Sequence, residues 1–439
     1  MFETIVALAT PPIKSALSIV RLSGDNCFFV VNKFFSKDLF KYTKNTIIHG
    51  EILDGDEVVD DVVLLLYKEP HSFTGENSVE IITHGSPLIF NKVIELSLKN
   101  GARMAERGEY TSRAFMHNKM DLIQAESVND LINAESEESK KLALLSLKGK
   151  TSSLIEPIKK DFIDLLSNIE VNIDYPEYKD IEEINNEKIY QISKKNLEYI
   201  EKLIKNGKKG KIIKDGINVA LVGKPNVGKS SILNALLGED KAIVTDIKGT
   251  TRDIVEGKII YKGIVINLYD TAGIHESKDL IENIGIQKSI NKLKEADLVI
   301  FILDPLNYTD EDKLIKKEIG NKKCITVYNK KDLVNIKDDK GIYISALNND
   351  INDLKKAMFS ALELNNENFS SPSINNAREL GILENVKNDI LKLINMKDEP
   401  VDILGSIIKE IINKLLSITG EDCDFDIYKE IFSRFCVGK

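Results

Sequence analysis

The sequence predicts a multidomain protein, in which an N-terminal α+β domain precedes an all-α helical domain that carries an inserted α/β domain. Its 439 residues exceed one domain, because roughly 100–200 residues per domain gives about two to four domains. The spacing of apolar residues changes along the chain, from short strands, to helical intervals of three and four, to alternating strands and helices. Helical spacing then returns, so two helical blocks flank the alternating region.

The composition is that of an ordinary globular protein and excludes several classes. Hydrophobic residues make up 42% of the chain and charged residues 29%, and no apolar run is long enough to span a membrane. With 60 basic and 69 acidic residues the net charge is −9, so any RNA contact requires a local patch. The four cysteines form no C-x-x-C pair, and the first residues lack the pattern of a signal peptide. We therefore expect a cytoplasmic protein.

Residues 1–118 are expected to form the α+β domain. Apolar and β-branched runs at residues 19–22 and 61–67 predict strands, and the Asp-Gly-Asp sequence at residues 54–56 is typical of a hairpin turn. Residues 87–98 have helical spacing. The mixture of turns, strands and a helix predicts an α+β fold.

The rest of the chain divides into residues 119–215, 216–364 and 365–439. The first and last of these have apolar residues at three- and four-residue intervals, which predicts amphipathic helices that pack together as one helical domain. Residues 216–364 alternate strand, loop and helix, which predicts a mostly parallel sheet between helices. Its strands are expected at residues 217–222, 265–269, 297–303, 324–328 and 341–344.

A phosphate-binding pattern follows the first of these strands. Residues 223–230 fit G-x-x-x-x-G-K-[ST] and open a predicted helix. In this pattern the glycines let backbone N–H groups surround phosphate oxygens, and the helix N-terminus adds positive potential. Lys229 is expected to reach the outer phosphates, and Ser230 to bind Mg²⁺.

Further segments at strand ends indicate a guanine nucleotide. Residues 270–273 read Asp-Thr-Ala-Gly and suit the Mg²⁺ shell and the γ-phosphate. The Asp332 carboxylate can accept two hydrogen bonds that guanine offers and adenine does not, Asn329 braces that loop, and residues 345–347 can meet the guanine carbonyl. Strand ends of this kind meet at one edge of an open α/β sheet. With switch threonines within residues 249–253, the sequence predicts a Ras-like P-loop GTPase domain.

The hydrolytic residues depart from the Ras pattern, in which a glutamine after the D-x-x-G glycine orients the attacking water. Here Ile274 and His275 follow that glycine. Arg252, Glu276 and Glu282 remain candidates, although composition alone favours a solvated loop position for each carboxylate.

Both ends of the chain carry segments that other P-loop GTPases do not share. These segments are residues 9–24, 72–85 and 113–126, and the final Cys-Val-Gly-Lys at residues 436–439. Together with residues 223–231, 245–253 and 270–273, they resemble the MnmE (TrmE) family of tRNA-modification GTPases over the whole chain.

This resemblance implies a function for each domain. The N-terminal domain would bind folate and form a homodimer, and K⁺ would replace an arginine finger as the GTPase domains dimerise. With an FAD-dependent partner, in an expected heterotetramer, the family installs a carboxymethylaminomethyl-type group at C5 of the wobble uridine of certain tRNAs. The one-carbon donor is 5-formyl- or 5,10-methylene-tetrahydrofolate. tRNA contact is expected mainly through the partner, and no membrane is involved.

The resemblance also assigns site residues. Glu282 matches the glutamate that orients the attacking water, and Lys229 and Asn226 are the other expected catalytic residues. The expected ligands are Ser230 and Thr251 for Mg²⁺, Asn226, Thr245, Ile247 and Thr250 for K⁺, and Arg21, Glu80, Lys119 and Lys439 for folate. The residues expected at GTP are Asn226, Val227, Gly228, Lys229, Ser230, Ser231, Thr245, Asp246, Ile247, Lys248, Gly249, Thr250, Thr251, Asp270, Thr271, Ala272, Gly273, Asn329, Lys330, Asp332, Ser345, Ala346 and Leu347.

Some interpretations stay open. Cys436 is equally consistent with a catalytic or redox thiol and with a structural contact. The lysine run at residues 205–214 favours a solvated linker over a contact with tRNA phosphates. The alternative functions are a ribosome-assembly or RNA-remodelling GTPase, for which no KH or OB domain is visible, and a folate-dependent one-carbon transferase that GTP only regulates.

Overall fold

The computed structural model describes residues 3–174, 185–239, 257–270, 293–334, 341–362, 371–421, 431–436 and 438. By its internal contacts the chain forms two compact units. Unit 1 combines Met1–Ile132, Ser146–Asn196 and Asn385–Lys439, and unit 2 combines Asn133–Leu145 and Leu197–Glu384. The finer division into four segments stays a prediction. Within the described ranges, no helix is both long and apolar enough to cross a membrane.

Unit 1 contains a six-stranded sheet in the order β3-β4-β5-β2-β1-β6, in which only the β1–β6 pair is parallel. Its strands are β1 (Ile5–Leu8), β2 (Leu17–Ser23), β3 (Thr46–Asp54), β4 (Glu57–Tyr67), β5 (Ser78–His84) and β6 (Arg103–Met104). Gly55, at a φ of 66°, closes the predicted β3–β4 hairpin. Helices α1 (Cys27–Asn32) and α2 (Pro87–Lys99) contribute to the apolar core on one face of this sheet.

Five helices follow the first sheet along the chain. They are α3 (Glu109–Met116), α4 (Leu122–Asn133), α5 (Glu137–Leu147), α6 (Glu156–Asp174) and α7 (Asn186–Asp215). The lysine run that was expected to be a linker lies inside α7, so that prediction was wrong. The buried side of the helix continues through the run, because Leu203, Gly207, Gly210 and Ile213 lie at intervals of three and four and are all buried.

Unit 2 contains a second six-stranded sheet, in the order β12-β11-β10-β7-β9-β8. Its strands are β7 (Ile217–Val222), β8 (Gly257–Tyr261), β9 (Ile264–Asp270), β10 (Leu298–Leu303), β11 (Cys324–Tyr328) and β12 (Ile342–Tyr343). Helices α8 (Lys229–Glu239), α9 (Asp310–Ile319) and α10 (Asn352–Ala361) alternate with or follow these strands along the chain. All pairs are parallel except β8–β9. Separate apolar clusters cover the two faces, as an α/β sheet requires.

Helices α11 (Ala377–Asn395) and α12 (Val401–Thr419) follow the second sheet along the chain. In unit 1, α12 packs closely on α6, since a Cβ at Gly405 would lie 3.6 Å from Cγ2 of Ile169. The helical block after the α/β sheet therefore packs on the block before it. This confirms the predicted architecture of an α/β domain inserted into a helical domain.

Candidate nucleotide and folate sites

The predicted phosphate-binding loop connects the buried strand β7 to the N-terminus of α8. Two of its residues have a left-handed backbone, Asn226 at a φ of 64° and Gly228 at 98°. A Cβ at Gly228 would lie 2.2 Å from Nδ2 of Asn329, so only glycine fits there. This geometry turns the loop back on itself before α8 begins.

Lys229 is held at the centre of this loop. Its Nζ donates to the carbonyl oxygens of Gly223 and Lys224, both at 2.9 Å, and the side chain is buried. The neighbouring Ser230 and Ser231 are exposed on the first turn of α8. The helix N-terminus, the loop amides and a cationic side chain therefore converge on one point, which is the arrangement that binds nucleotide phosphates.

Asn329 connects the phosphate-binding loop to both base-recognition segments. Its Nδ2 donates to the carbonyl oxygen of Val227 at 2.9 Å, and its Oδ1 accepts from the backbone N–H of Ala346 at 3.1 Å. Beside it, Asp332 is exposed and accepts from the Ser345 hydroxyl at 2.6 Å. The structure thus brings together the side chains predicted to brace and contact guanine.

Two further ion pairs at this site were not anticipated from the sequence. Nζ of the buried Lys224 lies 2.7 Å from Oδ2 of the buried Asp312, at the N-terminus of α9. Lys330 lies 2.6 Å from Asp304, at the end of β10. Burial, the largest single cause, raises the pKa of Asp304, but the hydrogen bonds from Lys330 and the Leu306 N–H together with the charges of Lys330 and Lys224 outweigh it, so the net pKa is lowered. No local pattern pairs these residues, because each partner lies on a distant segment.

Several predicted nucleotide residues lie outside the described part of the chain. These are Thr245, Asp246, Ile247, Lys248, Gly249, Thr250, Thr251, Thr271, Ala272, Gly273 and Glu282. Asp270 ends β9 at the same edge of the sheet as the phosphate-binding loop, which follows β7. The assignments of K⁺ ligands, of Thr251 and of the catalytic Glu282 therefore stay predictions.

A second candidate site lies in unit 1, on the face of the first sheet opposite its α1–α2 core. Arg21 on β2 and Glu80 on β5 are direct neighbours in the sheet, and Nη2 of Arg21 lies 2.6 Å from Oε1 of Glu80. The guanidinium also lies 5.8 Å from the Phe73 ring centroid and 5.5 Å from that of Tyr110. Burial and the nearby Glu80 raise the pKa of Tyr67. An ion pair flanked by aromatic rings suits a planar, polar ligand.

The C-terminal motif is docked at this site. The Gly438 carbonyl oxygen lies 3.4 Å from Nη1 of Arg21, and the Cys436 carbonyl accepts from the backbone N–H of Gly108 at 3.3 Å. The Cys436 side chain is exposed and belongs to no disulfide. Lys119 donates to the carbonyl oxygen of Pro70 at 2.8 Å, in the loop that carries Phe73. Of the predicted folate residues, Arg21 and Glu80 are in contact, Lys119 borders the same loop, and Lys439 lies outside the described residues.

The sheet of unit 2, with its phosphate-binding loop and guanine-type motifs at the carboxyl ends of parallel strands, defines a P-loop GTPase. Residues 122–436 match the family described as "MnmE helical domain", and residues 4–119 match the family described as "GTP-binding protein TrmE N-terminus". The chain belongs to the MnmE family.

Relatives of similar length support this assignment. The protein named tRNA modification GTPase MnmE from Mesoplasma florum is 41% identical over 100% of this chain and 99% of its own length. The protein of that name from Thermotoga maritima is also 41% identical, over 100% of both chains. The one from Lactobacillus gasseri is 40% identical over 100% of this chain and 98% of its own length.

Proposed function

We propose that this GTPase acts in tRNA modification and requires K⁺. With an FAD-dependent partner, the homodimer would install a carboxymethylaminomethyl-type group at C5 of the wobble uridine of certain tRNAs, using a tetrahydrofolate one-carbon donor. The observation that carries the proposal is the contact of the C-terminal Gly438 with the Arg21–Glu80 ion pair, in a chain that also holds a P-loop. The names of the relatives supply tRNA modification as the biological role.

The chemistry of the second site supports a folate ligand. A pterin ring presents adjacent donor and acceptor groups, which suit the carboxylate of Glu80, and the acidic tail of folate suits Arg21 and Lys119. The rings of Phe73 and Tyr110 can cover a flat heterocycle. In this proposal the three polar side chains bind and orient the donor, and the bound folate supplies the one-carbon unit.

The surface around this site supports the homodimer. Leu17 lies on the same face of β2 as Arg21, and Ile47 lies in the same cross-strand row as Glu80. Leu17 is 58% exposed and Ile47 is 72% exposed. Large apolar side chains on an open sheet face are typical of protein interfaces.

At the nucleotide site, Lys229 would neutralise the outer phosphates and Ser230 would bind Mg²⁺ together with Thr251. We propose that Asn226 binds K⁺ with Thr245, Ile247 and Thr250. A cation there would stabilise the charge that develops in the transition state, and Glu282 would orient the attacking water. Asn226 is exposed in the phosphate-binding loop, which leaves its side chain accessible to an ion.

The test is GTP hydrolysis by the full-length protein in KCl and in NaCl at equal ionic strength. We expect K⁺ to accelerate hydrolysis by about tenfold or more, since each ~1.4 kcal/mol of transition-state stabilisation is tenfold in rate. Asn226→Ala should lose this acceleration, whereas Asn234→Ala, at an exposed position of α8, should keep it. Equal rates in the two salts would show that K⁺ takes no part in hydrolysis.

A further inference from the structure

Unit 1 contains a cavity that belongs to neither site described above. Its volume is about 550 Å³, within the range of roughly 300–1,000 Å³ that is usual for small-ligand sites. Its lining includes the aromatic, amide and basic side chains of Asn26, Phe28, Phe29, Phe40, Lys68 and Asn77. Lys68 continues the alternation of Leu64 and Leu66, which face the α1–α2 core. The cavity therefore lies on the opposite side of the sheet from Arg21 and Glu80.

The cavity presents aromatic surface to solvent. Phe28 is buried and forms part of the core, whereas Phe29 is 51% exposed and Phe40 is 58% exposed. Exposed phenyl rings beside a cavity offer flat faces on which another ring can stack. A nucleobase has such a face whatever its identity.

Cations lie near two of the three rings, those of Phe28 and Phe29. Nζ of Lys33 lies 4.6 Å from the Phe29 ring centroid, and Nζ of Lys68 lies 5.8 Å from the Phe28 ring centroid. Across the part of the chain that the structure describes, neither ammonium has a carboxylate within ion-pair distance. The same holds for Lys37, Lys41 and Lys44, which are exposed on the segment that contains Phe40. This is a local basic patch in a chain of net charge −9.

The acidic residues near the patch do not cancel it. Asp25 and Glu69 line the cavity, and Asp38 accepts a hydrogen bond from the backbone N–H of Phe40. Within the lining itself Lys68 accompanies Asp25 and Glu69, and the positive excess lies on the adjacent segment 33–44, which carries four lysines and Asp38. This excess suits phosphates beside the cavity. The amides of Asn26 and Asn77 add polar groups of the kind that hydrogen-bond the edge of a base.

We propose that this cavity binds an unpaired nucleobase of RNA, stacked against Phe29 and Phe40, with Lys33 and Lys68 on the adjacent phosphates. The inference rests on the proposed function, because tRNA supplies the RNA, and it gives this chain its own RNA contact. Aromatic rings interleaved with lysines are the usual means of holding single-stranded nucleic acid. Paired bases are stacked within the helix, so a duplex offers no base to the cavity.

The test measures binding of the full-length protein to a fluorescein-labelled RNA hairpin with a single-stranded loop, and to the corresponding fully paired duplex. Phe29→Ala together with Phe40→Ala should weaken hairpin binding by about five- to 150-fold and leave duplex binding unchanged. Lys33→Ala together with Lys68→Ala should weaken hairpin binding and also reduce its dependence on salt. Leu88→Ala and Lys99→Ala, at exposed positions of α2 that do not line the cavity, are the matched controls.

Each other outcome overturns the proposal. If the phenylalanine variants bind the hairpin as tightly as the unchanged protein does, stacking on these rings is excluded. If the unchanged protein shows no measurable binding to the hairpin, RNA is excluded as the ligand. If UMP competes fully with the hairpin and binds as tightly, the cavity is a site for free nucleotides. If the phenylalanine variants differ from the unchanged protein in molecular mass by sedimentation, the two rings belong to a protein interface. K⁺-stimulated GTP hydrolysis, measured on the same preparations, separates a failure of this site from a failure of the proposed function.

Discussion

At the scale of single residues, Asn329 connects the parts of the nucleotide site. One side chain holds the carbonyl of the phosphate-binding loop at Val227 and the amide of the base segment at Ala346. It is almost fully buried, so neither hydrogen bond can be replaced by bulk water without rearrangement. The position of the phosphates relative to the base therefore depends on this asparagine.

We expect Asn329→Ala to weaken binding of GTP and GDP by about tenfold or more, because a buried hydrogen bond is worth roughly 1–3 kcal/mol when its partner is left unsatisfied. The measurement is titration with a fluorescent GDP analogue. Asn321→Ala, at an exposed asparagine in the same unit, should bind as the unchanged protein does. Unaltered affinity of Asn329→Ala would show that the loops hold their positions without it.

The sequence predicted the nucleotide-site residues that belong to short motifs, and it missed the contacts between residues on distant segments. Gly228, Lys229 and Asn329 belong to short motifs whose spacing follows from the shape of a phosphate or a base. The ion pair of Lys224 with Asp312 has no such spacing, since it forms only after the sheet has brought β7 and β10 side by side. Pairings of this kind depend on the tertiary fold.

At the scale of elements, α7 shows why a charged run is a poor sign of a linker. Lys205, Lys208 and Lys211 are exposed, and Lys208 lies 2.9 Å from Glu384. Lys209 and Lys214 are half-buried. Two glycines in the run mark a close contact, because a Cβ at Gly207 would lie 2.1 Å from the Ile374 carbonyl oxygen. At Gly210 it would lie 2.3 Å from Oγ of Ser373. The segment around Ile374 thus packs directly on the backbone of α7.

We expect Gly207→Ala and Gly210→Ala each to lower the thermal unfolding midpoint, because the added methyl group forces this segment away from α7 at a cost of about 1–3 kcal/mol. Gly381→Ala on α11 is the matched control. A Cβ there would meet nothing within 4 Å, so alanine should raise the midpoint through its higher helix propensity. Circular dichroism of the full chain gives all three values. Equal midpoints for Gly207→Ala and Gly381→Ala would contradict the close contact.

Secondary structure could be predicted from the sequence where buried apolar residues form a clear pattern along an element. Strand β10 is a continuous apolar run, β7 and β11 are apolar except for Asn218 and Thr326, and all three were predicted. Strand β8 was missed because it is an antiparallel edge strand of mixed composition, paired to β9 through the turn at Lys262 and Gly263. Its formation depends on the neighbouring strand more than on its own sequence.

At the scale of the whole molecule, the N-terminal strand β1 and the C-terminal Gly438 meet beside the candidate folate site. Gly438 has a φ of 91°, and a Cβ there would lie 2.6 Å from the Leu8 carbonyl oxygen on β1. The buried Phe432 and Phe435 pack with Leu122 and Ala125 and fix the approach of this terminus. The C-terminal motif therefore completes a site built by strands at the opposite end of the sequence, and the nucleotide site belongs to a different unit.

We expect Gly438→Ala to weaken binding of 5-formyl-tetrahydrofolate by about tenfold or more, while GTP hydrolysis without tRNA is unchanged. The methyl group meets the backbone of β1 and must displace the motif from Arg21, and a left-handed alanine adds about 1–3 kcal/mol of strain. Gly101→Ala separates the two causes, because Gly101 has a similar φ of 104° but nothing within 4 Å of its Cβ. Isothermal titration with folate should therefore show a loss for Gly438→Ala and near-normal affinity for Gly101→Ala. If both variants bind folate normally, the C-terminal motif lies beside the ligand without contributing to its binding. The exposed Cys436 would then have to serve a contact other than one with folate.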